Sequence, residues 1–111
     1  MQAFQLTFFT QQNRTHHGLP VADWLLKTAR HLGLPGGTVF AGTEGYGHDR
    51  RLHTAHFFDL SDQPVEITFE LSAEETERLF AFLSLEPIAL VYTKQQVEYG
   101  TVGGAAPPPT P

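Results

Sequence analysis

The chain has 111 residues, 41% of them hydrophobic and 17% charged, with a net charge of −5 when histidine is neutral and no cysteine. This composition indicates one globular domain, and the lack of cysteine excludes disulfides, thiolate metal sites and a cysteine nucleophile. An acidic chain has no general attraction to nucleic acid, so we expect no nucleic-acid partner. Residues 1–10 show no signal-peptide pattern, and no stretch approaches the roughly 18 apolar residues of a membrane span, so we expect a cytoplasmic protein.

The first half of the chain predicts a strand, a helix and a second strand. Ala3–Thr10 alternates apolar and polar residues, which is typical of a half-buried strand. Gln11–Leu19 is expected to be a polar loop, and Pro20 suits the first turn of a helix whose apolar stripe ends before Gly33. The second strand is expected at Gly37–Tyr46, where the glycines suggest a bulge or the close approach of another backbone.

The second half repeats this order. Val65–Leu71 alternates strictly, as in a sheet with one buried face. Ser72–Glu75 has the pattern of a capping box at the start of a second helix, which Glu86–Pro87 is expected to end. A fourth strand is expected at Ile88–Thr93, or as far as Val97.

The order of these elements predicts an α+β fold. Two strand–helix–strand units with right-handed crossovers give the ferredoxin-like βαββαβ plait, a four-stranded antiparallel sheet with two helices on one face. We expect this domain to occupy residues 1–99. Residues 100–111 are rich in glycine, alanine and proline and are expected to form a disordered tail.

Residues 36–60 contain most of the features typical of a binding site. The glycines of the segment G-T-E-G-Y-G at 42–47 would allow backbone N–H groups to approach an anion, although a bulged strand end needs the same glycines. Arg50 and Arg51 can pair with a phosphate or a carboxylate, or can lie on a solvated surface. Lys94, expected near the end of the last strand, is a further candidate for anion binding.

The histidines give weaker indications. His53 and His56 point to opposite sides of an extended segment, so we do not expect them to share a metal ion, although a threefold axis could gather three copies of one histidine. The side chains of His16–His17 are expected to diverge because they are neighbours in sequence. In Phe57–Phe58 one ring must face away from the core, which suits contact with a partner.

Three segments resemble a PII-like family that carries a domain-of-unknown-function label: G-G-T-V-F-A-G-T-E-G-Y-G-H at 36–48, R-L-H-T-A at 51–55 and P-V-E-I-T-F-E at 64–70. The first helix is similar too, through Pro20–Val21 and A-R-H-L-G-L at 29–34. Gly45–Gly47 resembles the glycine–aromatic–glycine turn of classical PII proteins, where the second strand ends and the regulatory loop begins.

The resemblance implies a homotrimer whose inter-subunit clefts bind a small anionic effector and whose 48–62 loop contacts a membrane transporter or an enzyme. The effector residues would be Gly42, Gly45, Tyr46, Gly47, His48, Arg50, Arg51 and Lys94. The partner-contacting residues would be His53, His56, Phe57 and Phe58.

Two departures concern the effector. Asp49 stands near the place of a glutamine that classical members use, and residues 83–87 lack the glycines of the phosphate loop. Both count against ATP binding in the classical manner, so we expect an adenine nucleotide or bicarbonate.

The first functional hypothesis is therefore a non-catalytic regulatory protein with no cofactor, no catalytic residue and no assigned metal ligand. The alternative is a trimeric divalent-metal-binding protein similar to cation-tolerance proteins. A small lyase-type enzyme is a third hypothesis, which lacks a recognisable catalytic constellation.

Overall fold

A four-stranded antiparallel sheet carries both helices on one face, with its strands in the order β4 (Gly37–Ala41), β7 (Pro64–Leu71), β1 (Gln2–Gln11) and β8 (Val91–Glu98). The computed structural model describes residues 2–42, 44–46, 52–54 and 63–104, with the backbone alone for 44–46 and 52–54. The elements are β1 (Gln2–Gln11), β2 (Thr15–His16), β3 (Leu19–Pro20), α1 (Val21–His31), β4 (Gly37–Ala41), β5 (Glu44–Tyr46), β6 (Leu52–Thr54), β7 (Pro64–Leu71), α2 (Ala73–Leu83) and β8 (Val91–Glu98). The predicted ferredoxin-like plait is confirmed.

The core lies between the helices and the central strands β1 and β7. The alternation in these strands sends Leu6, Phe8, Ile67 and Phe69 to the helix side, where each is at most 1% exposed. The rings of Phe8 and Phe69 meet edge to face with centroids 6.2 Å apart. The helices supply the opposite wall through the apolar stripes predicted for them, including Leu25.

The capping box at the start of α2 is confirmed. The Glu75 backbone N–H donates to Ser72 Oγ at 3.1 Å, and the Ser72 backbone N–H donates to Glu75 Oε1 at 2.8 Å. Both bonds satisfy N–H groups that have no partner within the helix. This fixes where α2 begins relative to the end of β7.

Replacing Ser72 with alanine is expected to lower the free energy of unfolding by about 1 kcal/mol, because it removes the acceptor of the Glu75 N–H. Urea denaturation followed by circular dichroism measures the change. Ser84→Ala is the matched control, since Ser84 lies exposed at the other end of the helix and its hydroxyl bonds the nearby Ala81 carbonyl. An equal loss in both variants would contradict the assigned cap.

The boundaries of two predicted strands were wrong. The segment expected as one strand is divided into β4, which pairs with β7, and β5, which pairs with β6 in a separate two-stranded sheet. The last strand begins at Val91 and not at Ile88. The Ile88 N–H bonds the Glu86 carbonyl at 2.8 Å, and this tight turn delays entry into the sheet.

Helix boundaries also differ in detail from the predictions. Pro20 precedes α1 at the N-cap position and pairs with Thr15, so the expected polar loop contains a short β-hairpin. α2 ends at Leu83, before Glu86–Pro87. Among the described residues there is no helix with the length and apolar character needed to cross a membrane. In the expected tail, residues 100–104 form neither helix nor strand, and residues 105–111 lie outside the described ranges.

Candidate functional site

The strand pair β5–β6 leaves the sheet where edge strand β4 ends. Gly45 lies opposite His53 in this pair. The Gly42 N–H donates to the Pro64 carbonyl at 2.7 Å, which extends the pairing of β4 with β7 by one step. A Cβ at Gly42 would lie 3.1 Å from Pro64 Cγ. Gly42 therefore has a packing role in the strand end, in addition to any contact with a ligand.

The region predicted as one loop, 48–62, contains strand β6, so His53 lies on an extended segment as expected. For Gly45, Tyr46 and His53 the structure describes the backbone pairing but not the surroundings of the side chains. The remaining candidates of this region lie outside the described residues: Gly47, His48, Arg50, Arg51, His56, Phe57 and Phe58.

Lys94 lies in the middle of β8 and not at its end. It is opposite Leu6, so its side chain is on the helix face of the sheet. Its ammonium lies 4.8 Å from the centroid of the Phe4 ring and 5.9 Å from that of Phe80. The two rings attract the cation and hold an exposed positive charge beside the edge of the sheet.

The structure does not bring Gly42 and Lys94 together within one chain. Gly42 follows β4 at one edge of the sheet, and Lys94 lies on β8 at the other edge. Lys94 is in the same cross-strand row as Gly37, so Gly42 is also displaced along the strands. Strand spacing and rise put the two residues on the order of 20 Å apart. A ligand that contacts both must therefore lie between two chains.

The helix-free face of the sheet is polar, as the alternation of β7 predicted. Gln5 donates to Glu70 Oε1 at 2.9 Å, and the hydroxyls of Thr7 and Thr68 lie 3.1 Å apart. These cross-strand pairs line an open cavity of about 330 Å³, which Phe40 also lines.

A cluster that was not predicted lies between the β2–β3 hairpin and the turn that follows α2. His16 Nε2 and His17 Nε2 lie 2.9 Å and 3.0 Å from the same oxygen, Glu86 Oε1. The two imidazole centroids are 4.2 Å apart, so the expected divergence of these side chains was wrong. Hydrogen bonds from His16 and then His17 hold the pKa of the Glu86 carboxyl below its ordinary value.

The turn chemistry explains why the two rings converge. His17 and Gly18 are the two central residues of the β2–β3 hairpin, and both have positive φ, 52° and 78°. This is the signature of a type I′ turn, in which histidine is tolerated and glycine is favoured. The dipeptide His17–Gly18 could have indicated the hairpin. Glu86 lies 70 positions from His16, so no local pattern indicated their contact.

Comparison with known proteins agrees with this architecture. A structure from Thermus thermophilus, described as a candidate PII-like signalling protein, superposes with a TM-score of 0.64 at 17% identity, covering 86% of this chain and 87% of that chain. The structure of CPII from Thiomonas intermedia K12 superposes with a TM-score of 0.64 at 19% identity, covering 91% of each chain. CPII is a nitrogen regulatory PII-like protein, and this structure contains ADP, AMP and bicarbonate. The fold is therefore PII-like.

The family follows from the sequence match. The model of the DUF190 family (Uncharacterized ACR, COG1993) matches residues 3–99. A UPF0166 protein of Aquifex aeolicus (strain VF5) is 28% identical over 96 residues, which cover 78% of this chain and 91% of the relative. The chain belongs to the DUF190 family, which confirms the resemblance noted in the sequence.

Proposed function

We propose that this protein is a non-catalytic regulatory protein that binds a small anionic effector, an adenine nucleotide or bicarbonate, in clefts between the subunits of a homotrimer. The family and the PII-like fold support the regulatory role. The effector class is supported by CPII, which has been solved with ADP and bicarbonate. A transporter or enzyme would be contacted through residues 48–62.

The separation of the candidate residues on opposite edges of the sheet determines where such a cleft would have to lie. A cleft that used both Gly42 and Lys94 would need β4 of one chain near β8 of another. Both edge strands present large apolar side chains to solvent within the described chain, since Val39, Phe40, Val91 and Tyr92 are 40–57% exposed. Unpaired edges with such residues favour contact with another chain.

In this proposal the effector acts by shifting a conformational equilibrium. The 48–62 region begins next to the β5 backbone that would line the cleft. A ligand that contacts Gly45 or Arg51 in only one arrangement of this region would favour that arrangement by its difference in affinity. A partner that recognises the favoured arrangement would then respond to the effector concentration.

Thermal-shift measurements with AMP, ADP, ATP and sodium bicarbonate test the proposal. A ligand at a free concentration about 100 times its Kd stabilises the native state by about 2.7 kcal/mol, which raises Tm by several degrees. Sodium chloride at equal ionic strength controls for salt. Arg51→Ala and Lys94→Ala are expected to reduce the shift, because each removes a cation from the proposed cleft.

Lys27→Ala is the matched control, because Lys27 is exposed on α1 and is the other lysine of the chain. Equal shifts in wild type, Arg51→Ala and Lys94→Ala would remove both residues from the effector site. No shift with any of these ligands, or a monomeric mass by sedimentation at the concentration used, would contradict the proposed cleft.

A further inference from the structure

Three side chains with metal-binding groups converge beside the β2–β3 hairpin. The ligand atoms of His16, His17 and Glu86 all lie within 4.8 Å of one another. The type I′ turn places the two imidazoles on one side of the hairpin, and the turn after α2 brings the carboxylate to them. None of these residues belongs to the proposed effector site, so the cluster calls for its own explanation.

We propose that His16, His17 and Glu86 form a binding site for a divalent transition-metal ion of the Zn²⁺ or Cu²⁺ class. Imidazole nitrogen suits both ions, and two histidines with one carboxylate are an established zinc ligand set. Three protein ligands leave a fourth position for water or another ligand.

The distances already approach those of a coordinated ion. Bonds of about 2.0–2.1 Å to a tetrahedral zinc ion place neighbouring ligand atoms roughly 3.3 Å apart. Here each Nε2 lies 2.9 Å or 3.0 Å from Glu86 Oε1. In the metal-free state each Nε2–H donates a hydrogen bond to the carboxylate. To coordinate a metal through Nε2, each neutral imidazole would carry its proton on Nδ1 instead. These two distances need to widen by a few tenths of an ångström, and the two imidazole nitrogens, which lie within 4.8 Å of each other, need to reach a similar spacing; both are side-chain adjustments.

The surroundings position these ligands and leave the site accessible. The His16 ring packs edge-on against Trp24 with centroids 4.5 Å apart, and the His16 side chain is only 11% exposed. His17 is 61% exposed and opens the site to solvent. The Arg14 guanidinium bonds the Ala89 carbonyl, which ties the hairpin to the chain that follows Glu86. The ligands thus come from two segments that are held together.

The single tryptophan of the chain provides a local probe. Because Trp24 contacts His16, Cu²⁺ in this site is expected to quench its fluorescence, saturating at one equivalent per chain. Zn²⁺ should bind without this quenching, and it should displace Cu²⁺ only in large excess, because Cu²⁺ binds nitrogen and oxygen ligands more tightly. The 111-residue chain is used at a fixed concentration, and its Zn²⁺ affinity is measured independently by isothermal titration calorimetry.

Two variants remove a ligand while retaining the local conformation. His17→Asn creates Asn-Gly, the preferred type I′ dipeptide, so the hairpin is expected to stay folded without the imidazole. Glu86→Gln keeps the shape of the carboxylate side chain. Each variant should raise the Kd for Zn²⁺ by at least about tenfold. Mutating a residue that only supports a metal ligand already weakens metal binding by about 10–100-fold, and these variants remove a ligand itself. His31→Ala is the control, because His31 is exposed at the end of α1 and outside the cluster.

Unchanged Zn²⁺ affinity and Cu²⁺ quenching in both His17→Asn and Glu86→Gln would overturn the proposal. Loss of binding in His53→Ala with retention in His17→Asn would place the metal at β6 instead and would also overturn it. Neither result bears on the effector, because nucleotide and bicarbonate shifts are measured in the presence of a chelator.

Discussion

Replacing Leu6 with alanine is expected to lower the free energy of unfolding by about 2–5 kcal/mol, the usual cost of removing a buried leucine from a packed core. Leu6 is 0% exposed and lies on central strand β1, opposite Phe69 of β7. The atoms removed would leave a cavity between rigid sheet residues, which limits relaxation. Since small domains are stable by about 5–15 kcal/mol, this variant should unfold at a much lower urea concentration.

The measurement is urea denaturation followed by both circular dichroism and Trp24 fluorescence, at one chain concentration because association would add to stability. Leu85→Ala is the matched control. Leu85 is 83% exposed in the turn after α2, so its loss should change stability by no more than about 0.5 kcal/mol. Similar midpoints for the two variants would show that the β1 core face is assigned incorrectly.

Replacing Gly37 with alanine is expected to destabilise the domain by about 1–3 kcal/mol, the usual cost of overpacking. A Cβ at Gly37 would lie 2.6 Å from Phe69 Cε1 and 3.0 Å from Leu26 Cδ2. The Phe69 ring is 1% exposed and packs against Phe8, so it cannot move aside without disturbing the core. The added methyl group would instead push β4 away from β7 or disturb α1.

Gly100→Ala controls for the general effect of this substitution, because a Cβ at Gly100 would meet no atom within 4 Å. A double-mutant cycle with Phe69→Leu sharpens the test. If the clash is with the ring, Gly37→Ala should cost less in the Phe69→Leu background than in wild type. Additive costs would contradict the clash, and equal stability of Gly37→Ala and wild type would show that β4 accommodates the methyl group.

The strands and helices with strong local patterns were predictable. Val65–Leu71 alternates without interruption, and Ser72–Glu75 has the capping pattern, so both appeared as expected. The strand boundaries that were predicted incorrectly depend on local backbone geometry. The Glu86 turn delays β8 to Val91, and the chain after Gly42 leaves β7 to pair β5 with β6. Apolar content alone does not encode such changes of pairing partner.

The candidate sites differ in how far the sequence could define them. The segment G-Y-G-H at 45–48 could be proposed from sequence as an effector region because its glycines and its family resemblance are local features. Its relation to Lys94 required the strand order, which puts β4, the strand that precedes this segment, and β8, which carries Lys94, on opposite edges. The position of Lys94 on the helix face, over the Phe4 ring, likewise required the pairing of β8 with β1.

Local sequence patterns were sufficient for the α+β class, the core faces of β1 and β7, the N-terminus of α2 and the family, because each follows from periodicity or from a contiguous motif. The His16–His17–Glu86 cluster, in contrast, became visible only in the folded chain. A type I′ turn reverses the divergence expected of neighbouring side chains, and only folding brings Glu86 across 70 positions to meet them. Local patterns report local energetics, whereas a binding site depends on contacts between segments distant in the chain.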